Sequence, residues 1–184
     1  MTRPWRVAAI VGALAAVQLI AVLGYRWIER GRARPRAFAV AALAGSPAPS
    51  FAIERADWTV VEVGGAGRVR LVHFWATWCP PCRDELPALL ARAAATPELE
   101  LIAVSVDDDW TAIRRFFPEG VPAVVVRARD RDAHRRYGAR TLPDSYVVDG
   151  AGRLVERLDG ARDWTRAEAA SYLRDLPVRW GRDR

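Results

Sequence analysis

Cysteine, histidine and lysine are the scarce residues of this 184-residue chain, which has two cysteines, two histidines and no lysine. Two cysteines exclude a small protein held together by several disulfides and a zinc site with four cysteine ligands. Two histidines exclude a histidine-rich metal centre. Apolar residues make up 51% of the chain and charged residues 27%. This composition is that of a folded domain with a sizeable core and excludes a disordered chain or a collagen-like fibre.

The net charge of +6 is confined to the N-terminal segment. Residues 1–45 contain seven of the 28 arginines and one of the 22 acidic residues, which leaves 21 arginines and 21 acids in residues 46–184. A neutral main domain disfavours nucleic acid as a partner, because binding to phosphates requires a basic surface. The position of the N-terminal arginines instead indicates that they flank a membrane segment.

An uncharged stretch of 19 residues, 7–25, indicates a membrane anchor. A helix of this length spans roughly 28 Å, close to the ~30 Å hydrocarbon core of a bilayer. Trp5, Tyr25 and Trp27 lie at its two ends, as an aromatic belt would. The alternative is a cleaved signal peptide, whose apolar region is usually only ~7–15 residues long. The length of the stretch favours the anchor.

We therefore expect an anchor in residues 1–30, a linker in residues 31–45 and a folded domain in residues 46–184. The charges leave the orientation open. Two arginines precede the apolar stretch and five follow it, which by the positive-inside rule places the domain in the cytoplasm. The cysteine chemistry described next is typical of the opposite side of the membrane.

Hydrophobic patterning over the domain predicts an α/β sheet with an antiparallel closing hairpin. Strands are expected at 50–53, 59–63, 68–75, 99–106, 121–126, 145–148 and 154–158, and helices at 81–95, 113–117, 130–137 and 165–176. Asp107, Asp108 and Asp109 are expected to cap the second helix, and Thr165 and Glu168 to form a capping box for the last one.

The motif Cys79-Pro80-Pro81-Cys82 follows the strand at 68–75 and opens the first helix. Because backbone N–H groups and the helix dipole stabilise an anion at a helix N-terminus, we expect Cys79 to ionise more readily than an ordinary thiol. Cys79 is expected to be exposed and Cys82 more buried. Cys79 would attack a substrate disulfide, and Cys82 would then resolve the mixed disulfide. Pro80 and Pro81 fix φ in the first turn, where missing N–H groups cost little.

A redox dithiol is favoured over two other uses of the cysteine pair. A zinc site would require His73 and His134 to complete the ligand set by chance geometry. A structural disulfide across so short a loop adds little stability. No nucleotide fingerprint is present, so the pair would exchange electrons with another protein.

The chain resembles the TlpA/ResA/CcmG-type membrane-anchored thiol–disulfide oxidoreductases over roughly residues 46–176. The similar segments are 47–51, 74–82 (FWATWCPPC), 99–107, 141–144 (TLPD) and 147–154. The resemblance implies a thioredoxin-like α/β fold, with a central mixed β-sheet flanked by helices, behind an N-terminal transmembrane helix. It also implies a single-pass protein of the bacterial inner membrane with its domain in the periplasm.

The resemblance assigns roles to individual residues. Cys79 would be the nucleophile and Cys82 the resolving cysteine. Glu85 matches an acidic residue that handles protons near the cysteines, the alternative being an ordinary glutamate favoured by the helix dipole. Pro143 would follow a cis peptide bond, and Leu142 would offer its backbone to an extended substrate. The implied substrate-binding residues are Trp78, Pro80, Pro81, Thr141, Leu142 and Pro143.

His73 and the arginines between residues 127 and 140 each allow two interpretations. His73 occupies a strand position where thioredoxin has a buried acid, and we expect a neutral core residue there, with a proton relay as the alternative. The arginines between 127 and 140 are expected to form a solvated face, with a partner-docking surface as the alternative.

The expected function is a protein-disulfide reductase outside the cytoplasm, for example for apocytochrome c thiols or copper-site cysteines. The expected partners are protein thiol or disulfide substrates, a membrane thiol-reductant donor, and the bilayer through residues 7–25. No metal and no cofactor beyond the redox-active Cys79–Cys82 pair is expected. Two alternatives are a peroxidase on the same fold, disfavoured by Ala76 where such enzymes have threonine, and a copper carrier, which has wider cysteine spacing.

Overall fold

The computed structural model describes residues 14–24, 40–130 and 132–181. The chain divides into two units, residues 1–33 and 34–184. In the first unit, residues 14–24 are helical and expose large apolar side chains such as Ile20. Part of the expected anchor and of the expected linker lies outside the described residues. Within the described ranges, no helix combines the length and the apolar character that crossing a membrane requires.

The second unit is built on an eight-stranded sheet. Its strands are β1 (Ala41–Pro47), β2 (Phe51–Glu54), β3 (Val60–Val63), β4 (Arg70–Trp75), β5 (Glu100–Ser105), β6 (Val125–Ala128), β7 (Asp144–Val148) and β8 (Arg153–Asp159). They lie in the order β1-β8-β7-β4-β5-β6-β2-β3. β4, β5 and β6 are parallel to one another, and the other pairs are antiparallel. This is the central mixed sheet expected from the sequence.

Four helices flank the sheet: α1 (Pro80–Ala94), α2 (Trp110–Phe116), α3 (Ala133–Arg136) and α4 (Ala167–Trp180). Leu71 of β4, Leu89 of α1 and Leu173 of α4 share one buried cluster, so α1 and α4 cover the same face. Phe74 of β4 packs with Ala133 of α3 in a cluster on the other face. Alternate residues of β4 thus enter different layers, as the period-2 geometry of a strand requires.

β1 corrects the expected linker boundary. Residues 41–45 were expected in the linker, but they belong to a strand that pairs with β8, with Ala41 opposite Arg157 and Pro47 opposite Arg153. This segment is mostly alanine, glycine and proline, which have low strand propensity. Its place at the sheet edge depends on backbone pairing to a partner more than 100 residues away, which local patterning does not reveal.

Helix and strand ends differ in places from those expected. Asp109 caps α2 as predicted, because its Oδ1 accepts the N–H of Thr111 at 2.7 Å. The prediction of a capping box for the last helix is wrong. α4 begins at Ala167, and the hydroxyl of Thr165 donates to Asp163 instead. β6 begins at Val125 rather than at 121, because the Val125 N–H is used in a turn to the carbonyl of Pro122.

A third cluster of buried residues positions the candidate site at the carboxyl ends of the parallel strands. It joins Trp75, at the end of β4, to Cys79, Cys82 and Leu86 of the following helix. Ile113 of α2 packs into the same cluster. The cysteine pair therefore lies where β4 leaves the sheet, and it is held against the core by two helices.

Candidate active site

The two cysteines lie at the start of α1 and are joined by a disulfide with an S–S distance of 2.03 Å. Cys79 is the N-cap residue, with extended φ and ψ of −93° and 104°, and its Sγ accepts the backbone N–H of Cys82 at 3.3 Å. Pro80 and Pro81 occupy the first two helical positions. Because neither proline has an N–H group, the N–H of Cys82 is the first one the helix offers to the sulfur.

The two sulfurs differ in access to solvent. Cys82 is completely buried, whereas Cys79 keeps 5% of its surface exposed. The expectation of an exposed Cys79 is therefore corrected: it is nearly buried, although it remains the more accessible of the two. The reason is tertiary cover, since Leu142 from the loop before β7 packs against the cluster that holds both cysteines. Trp78, directly before Cys79, is 66% exposed and lies at the rim.

Asp107 holds the loop between β4 and α1 in place. Its carboxylate accepts the backbone N–H of Thr77 at 2.9 Å and the Thr77 hydroxyl at 2.6 Å. The hydroxyl of Ser105, at the end of β5, donates to the same carboxylate at 2.6 Å. From the sequence, Asp107 was expected only as part of a helix cap, and this role was not predicted. The sequence does place Asp107 directly after the buried strand β5, at the edge of the sheet where β4 also ends.

The segment 141–143 contains Leu142, which packs against the cluster that holds the cysteine pair. The Leu142–Pro143 peptide bond is cis, which confirms the expectation from the resemblance. Pro143 is buried, Leu142 is partly buried and Thr141 is exposed. Within the described part of the chain, no backbone hydrogen bond engages the N–H or the carbonyl of Leu142. That backbone edge is consequently available to a peptide that would lie across it.

Glu85 is a buried residue of α1 that lies beyond the first turn of the helix. It is 6% exposed, and its Oε2 accepts the backbone N–H of Arg162 at 2.5 Å. Burial raises the pKa of Glu85 to about 8, against the opposing effects of the Arg162 N–H, the Trp164 side chain and the Arg162 charge. The carboxyl group is therefore poised to gain or lose a proton near neutral pH.

His73 is completely buried in β4. Its Nδ1 lies 2.8 Å from Oγ of Ser145 on the adjacent strand β7, and its Nε2 lies 3.6 Å from Oε1 of Glu85. Burial lowers the pKa of His73 to about 3, so its ring is neutral at physiological pH. This agrees with the expected neutral core residue, and it also places the ring next to Glu85.

The arginine run is mostly neutralised by nearby acids. Arg127 donates to Oε1 of the buried Glu54 at 2.9 Å, which also accepts the indole N–H of Trp110. Arg135 pairs with Asp132, and Arg136 pairs with Asp130, both at 2.8 Å. Arg131 lies outside the described residues. Most of these arginines therefore serve local ion pairs, in keeping with the expected solvated face.

Among residues 14–24, 40–130 and 132–181, no group of three or more histidine, cysteine, aspartate or glutamate side chains is arranged to hold a metal ion. His134 lies in α3 on the opposite face of the sheet from the cysteines, and its ring contacts Phe74.

Comparison with known proteins connects this geometry to a family. The model of the AhpC/TSA family matches residues 44–157. The chain is 34% identical to the thiol:disulfide interchange protein HelX of Rhodobacter capsulatus, over 65% of this chain and 69% of the relative. It is 29% identical to the thiol-disulfide oxidoreductase ResA of Bacillus subtilis, over 63% of this chain and 67% of the relative.

Similar solved structures agree on the fold. A thiol:disulfide interchange protein of the thioredoxin family from Chlorobium tepidum superposes with a TM-score of 0.56 at 23% identity. The superposition covers 72% of this chain and 98% of that one. The sheet and its flanking helices are therefore thioredoxin-like.

The buried carboxyl of Glu85 predicts a fall in stability between about pH 6.5 and 8. The folded chain keeps a proton on Glu85 that the unfolded chain, with a pKa of 4.5, has lost, so stability declines as the pH rises toward about 8. His73 acts in the opposite sense below about pH 6.5, because its folded pKa of about 3 is depressed. We expect the free energy of unfolding of the full chain, measured by urea titration in detergent micelles, to drop by about 2 kcal/mol across this window.

Glu85→Gln should remove most of this decline, because the amide does not titrate. Glu98→Gln, a change at an exposed position, is the matched control and should leave the decline as it is in the wild type. A wild-type chain whose stability is level from pH 6.5 to 8, or a Glu85→Gln variant that declines as steeply, would contradict the assignment of this decline to a raised pKa of Glu85.

Proposed function

This chain belongs to the AhpC/TSA family and is a thiol–disulfide oxidoreductase of thioredoxin-like fold, and on that premise we propose that it reduces disulfides of other proteins outside the cytoplasm. The resemblance to the TlpA/ResA/CcmG-type oxidoreductases is confirmed by these relatives. The observation that carries the proposal is the contact of the Cys82 N–H with Sγ of Cys79 at the N-terminus of α1. A sulfur in this place is the one that the helix stabilises as a thiolate.

The cycle begins with the reduced pair. The Cys79 thiolate attacks one sulfur of a substrate disulfide, so that a bond forms between Cys79 and that sulfur while the substrate S–S bond breaks. The other substrate sulfur leaves as a thiolate and takes a proton from water. Only Cys79 keeps any exposed surface, so it is the cysteine placed to make this first attack.

The second step releases the substrate. The Cys82 thiol gives its proton to the carboxylate of Glu85, and the resulting thiolate attacks Sγ of Cys79. The Cys79–Cys82 bond forms while the bond between Cys79 and the substrate breaks. The second substrate sulfur leaves as a thiolate and takes up the proton that Glu85 received, which returns Glu85 to its carboxylate form. The substrate has then gained two electrons and the protein holds the disulfide seen in the structure. Glu85 lies one turn beyond Cys82 on the same helical face, and its pKa of about 8 suits a group that takes and returns a proton near neutral pH.

Substrate binding is proposed at the rim around Cys79. An extended peptide would pair with the unused backbone of Leu142, between Thr141 and Pro143, in the manner of an added strand. The exposed indole of Trp78 would cover the apolar side of the peptide. Pro80 and Pro81 would contribute through the shape of the first helical turn.

The compartment and the partners follow from the chemistry. Protein disulfides persist outside the cytoplasm, so we place the domain in the periplasm, with residues 7–25 as a single-pass anchor in the bacterial inner membrane. The chain has two cysteines in all, so it stores one electron pair and must be recharged by another protein, which we propose is a membrane thiol-reductant donor. Apocytochrome c thiols and copper-site cysteines are the proposed substrates.

Two cysteine variants of the full chain in detergent micelles test the cycle. Cys79→Ser should reduce insulin reduction to the uncatalysed background, because no attacking sulfur remains. Cys82→Ala should keep the first attack and lose the second, so it should accumulate a covalent complex with the substrate. Non-reducing electrophoresis and mass spectrometry measure the complex, and the same variant expressed in cells would identify the natural partner. A Cys79→Ser variant that still turns over insulin would refute the assigned nucleophile.

Trp78 and Trp58 provide a matched pair for the substrate rim. Both indoles are exposed, at 66% and 62%, but only Trp78 adjoins Cys79. Trp78→Ala should raise KM for a protein substrate roughly fivefold with little change in kcat, which corresponds to about 1 kcal/mol of lost contact. Trp58→Ala should leave KM unchanged. Equal effects of the two substitutions would remove Trp78 from the binding surface.

A further inference from the structure

Three buried polar side chains lie side by side in the core between β7, β4 and α1. His73 lies between Leu71 and Trp75 on the face of β4 that α1 and α4 cover. On one side its Nδ1 is 2.8 Å from Oγ of Ser145, and on the other its Nε2 is 3.6 Å from Oε1 of Glu85. The imidazole of His73 therefore lies between the hydroxyl of Ser145 and the titratable carboxyl group of Glu85.

Nε2 of His73 has no hydrogen-bond partner among the described residues, although the ring is completely buried. A buried polar atom without a partner costs roughly 1–3 kcal/mol. The distance of 3.6 Å to Glu85 is just beyond a hydrogen bond, so a small movement of either side chain closes it. The hydrogen bond between Glu85 and Nε2 depends on the charge of Glu85. The neutral acid donates its proton and needs Nε2 as an acceptor, whereas the carboxylate accepts and needs Nε2–H as a donor.

We propose that His73 is a positioning residue that changes tautomer with the charge of Glu85 and so stabilises both states of the carboxyl group. When Glu85 is neutral, its O–H faces a bare Nε2, and Nδ1–H donates to Ser145. When Glu85 is ionised, Nε2–H faces the carboxylate, and the Ser145 hydroxyl donates to the bare Nδ1. In passing from the first state to the second, the O–H proton of Glu85 transfers to Nε2 and the Nδ1 proton leaves through the Ser145 hydroxyl. One proton is lost in all, and the ring takes up no net charge.

The groups around the pair agree with a ring that stays neutral. α1 contributes Glu85, β7 contributes Ser145, and β5 places Ala103 opposite His73. The segment before α4 brings the Arg162 N–H to the other oxygen of Glu85. The Arg162 guanidinium donates to the carbonyls of residues 159–161. Burial depresses the pKa of His73 to about 3, which keeps the imidazolium form out of reach at physiological pH.

Histidine suits this place because a neutral imidazole is both a donor and an acceptor, and its tautomers exchange the two roles. Serine on the far side is equally adaptable, since its hydroxyl donates or accepts by rotation. The inference rests on the proposed proton exchange between Glu85 and Cys82, in which Glu85 passes through both charge states in each cycle.

Nitrogen NMR of the full chain, labelled with ¹⁵N-histidine and oxidised in detergent micelles, tests the tautomer change directly. The chain has only two histidines, His73 and His134, so the two rings are readily assigned with a His134→Gln variant. Between pH 6 and 10 we expect the proton-bearing nitrogen of His73 to change from Nδ1 to Nε2. The midpoint should lie near pH 8, and no imidazolium signal should appear.

Glu85→Gln is the decisive variant, because it keeps the shape of the side chain and removes its titration. The His73 tautomer should then be the same at every pH in this range. One tautomer throughout in the wild type, protonation of the ring to imidazolium, or an unaltered tautomer change in Glu85→Gln would each overturn the proposal. The NMR signals do not depend on turnover. If the tautomer change is absent while the chain still reduces insulin, the role of His73 alone is rejected. If Cys79-dependent insulin reduction is absent, the proposed function is rejected.

Discussion

The backbone N–H of Cys82 points at Sγ of Cys79 across 3.3 Å, at the position where α1 begins. Three features of the chain maintain this contact. β4 delivers Cys79 to the helix start, Asp107 ties down the intervening loop through Thr77, and the two prolines fix the first turn while removing competing N–H groups. The proposed chemistry requires a Cys79 thiol with a lowered pKa, and the contact with the Cys82 N–H stabilises its thiolate form.

In the proposed cycle, the different burial of the two sulfurs gives them different roles. Cys82 is sealed from solvent, so its proton has to be exchanged inside the protein, and Glu85 with its raised pKa lies on the same side of α1. Cys79 retains a small exposed edge, bordered by Trp78 and by the segment that contains the cis-Pro143 bond. The order of attack and resolution thus follows from which sulfur a substrate can reach. The proposed anchor and periplasmic location would bring that edge to the compartment where disulfides persist.

The sequence predicted the parts of the fold that depend on local signals. The strand, the cysteine motif and the helix that follows it were recognisable, and the hairpin of β7 and β8 had an evident turn. Contacts between distant segments were not predictable: the pairing of β1 with β8, the cover of Cys79 by Leu142, and the clamp of Asp107 on Thr77. Glu85 was found through the resemblance, but its burial and its approach to His73 depend on how α1 packs on β4.

The most direct test of the account is the rate at which the reduced full chain is alkylated by iodoacetamide as a function of pH, with the modified cysteine identified by mass spectrometry. The urea-unfolded chain provides the reference for an ordinary thiol. We predict that Cys79 is modified before Cys82 and that its reactivity in the folded chain persists at pH values where the unfolded chain no longer reacts. The account is contradicted if Cys79 shows the same pH dependence folded and unfolded, or if Cys82 reacts as fast as Cys79.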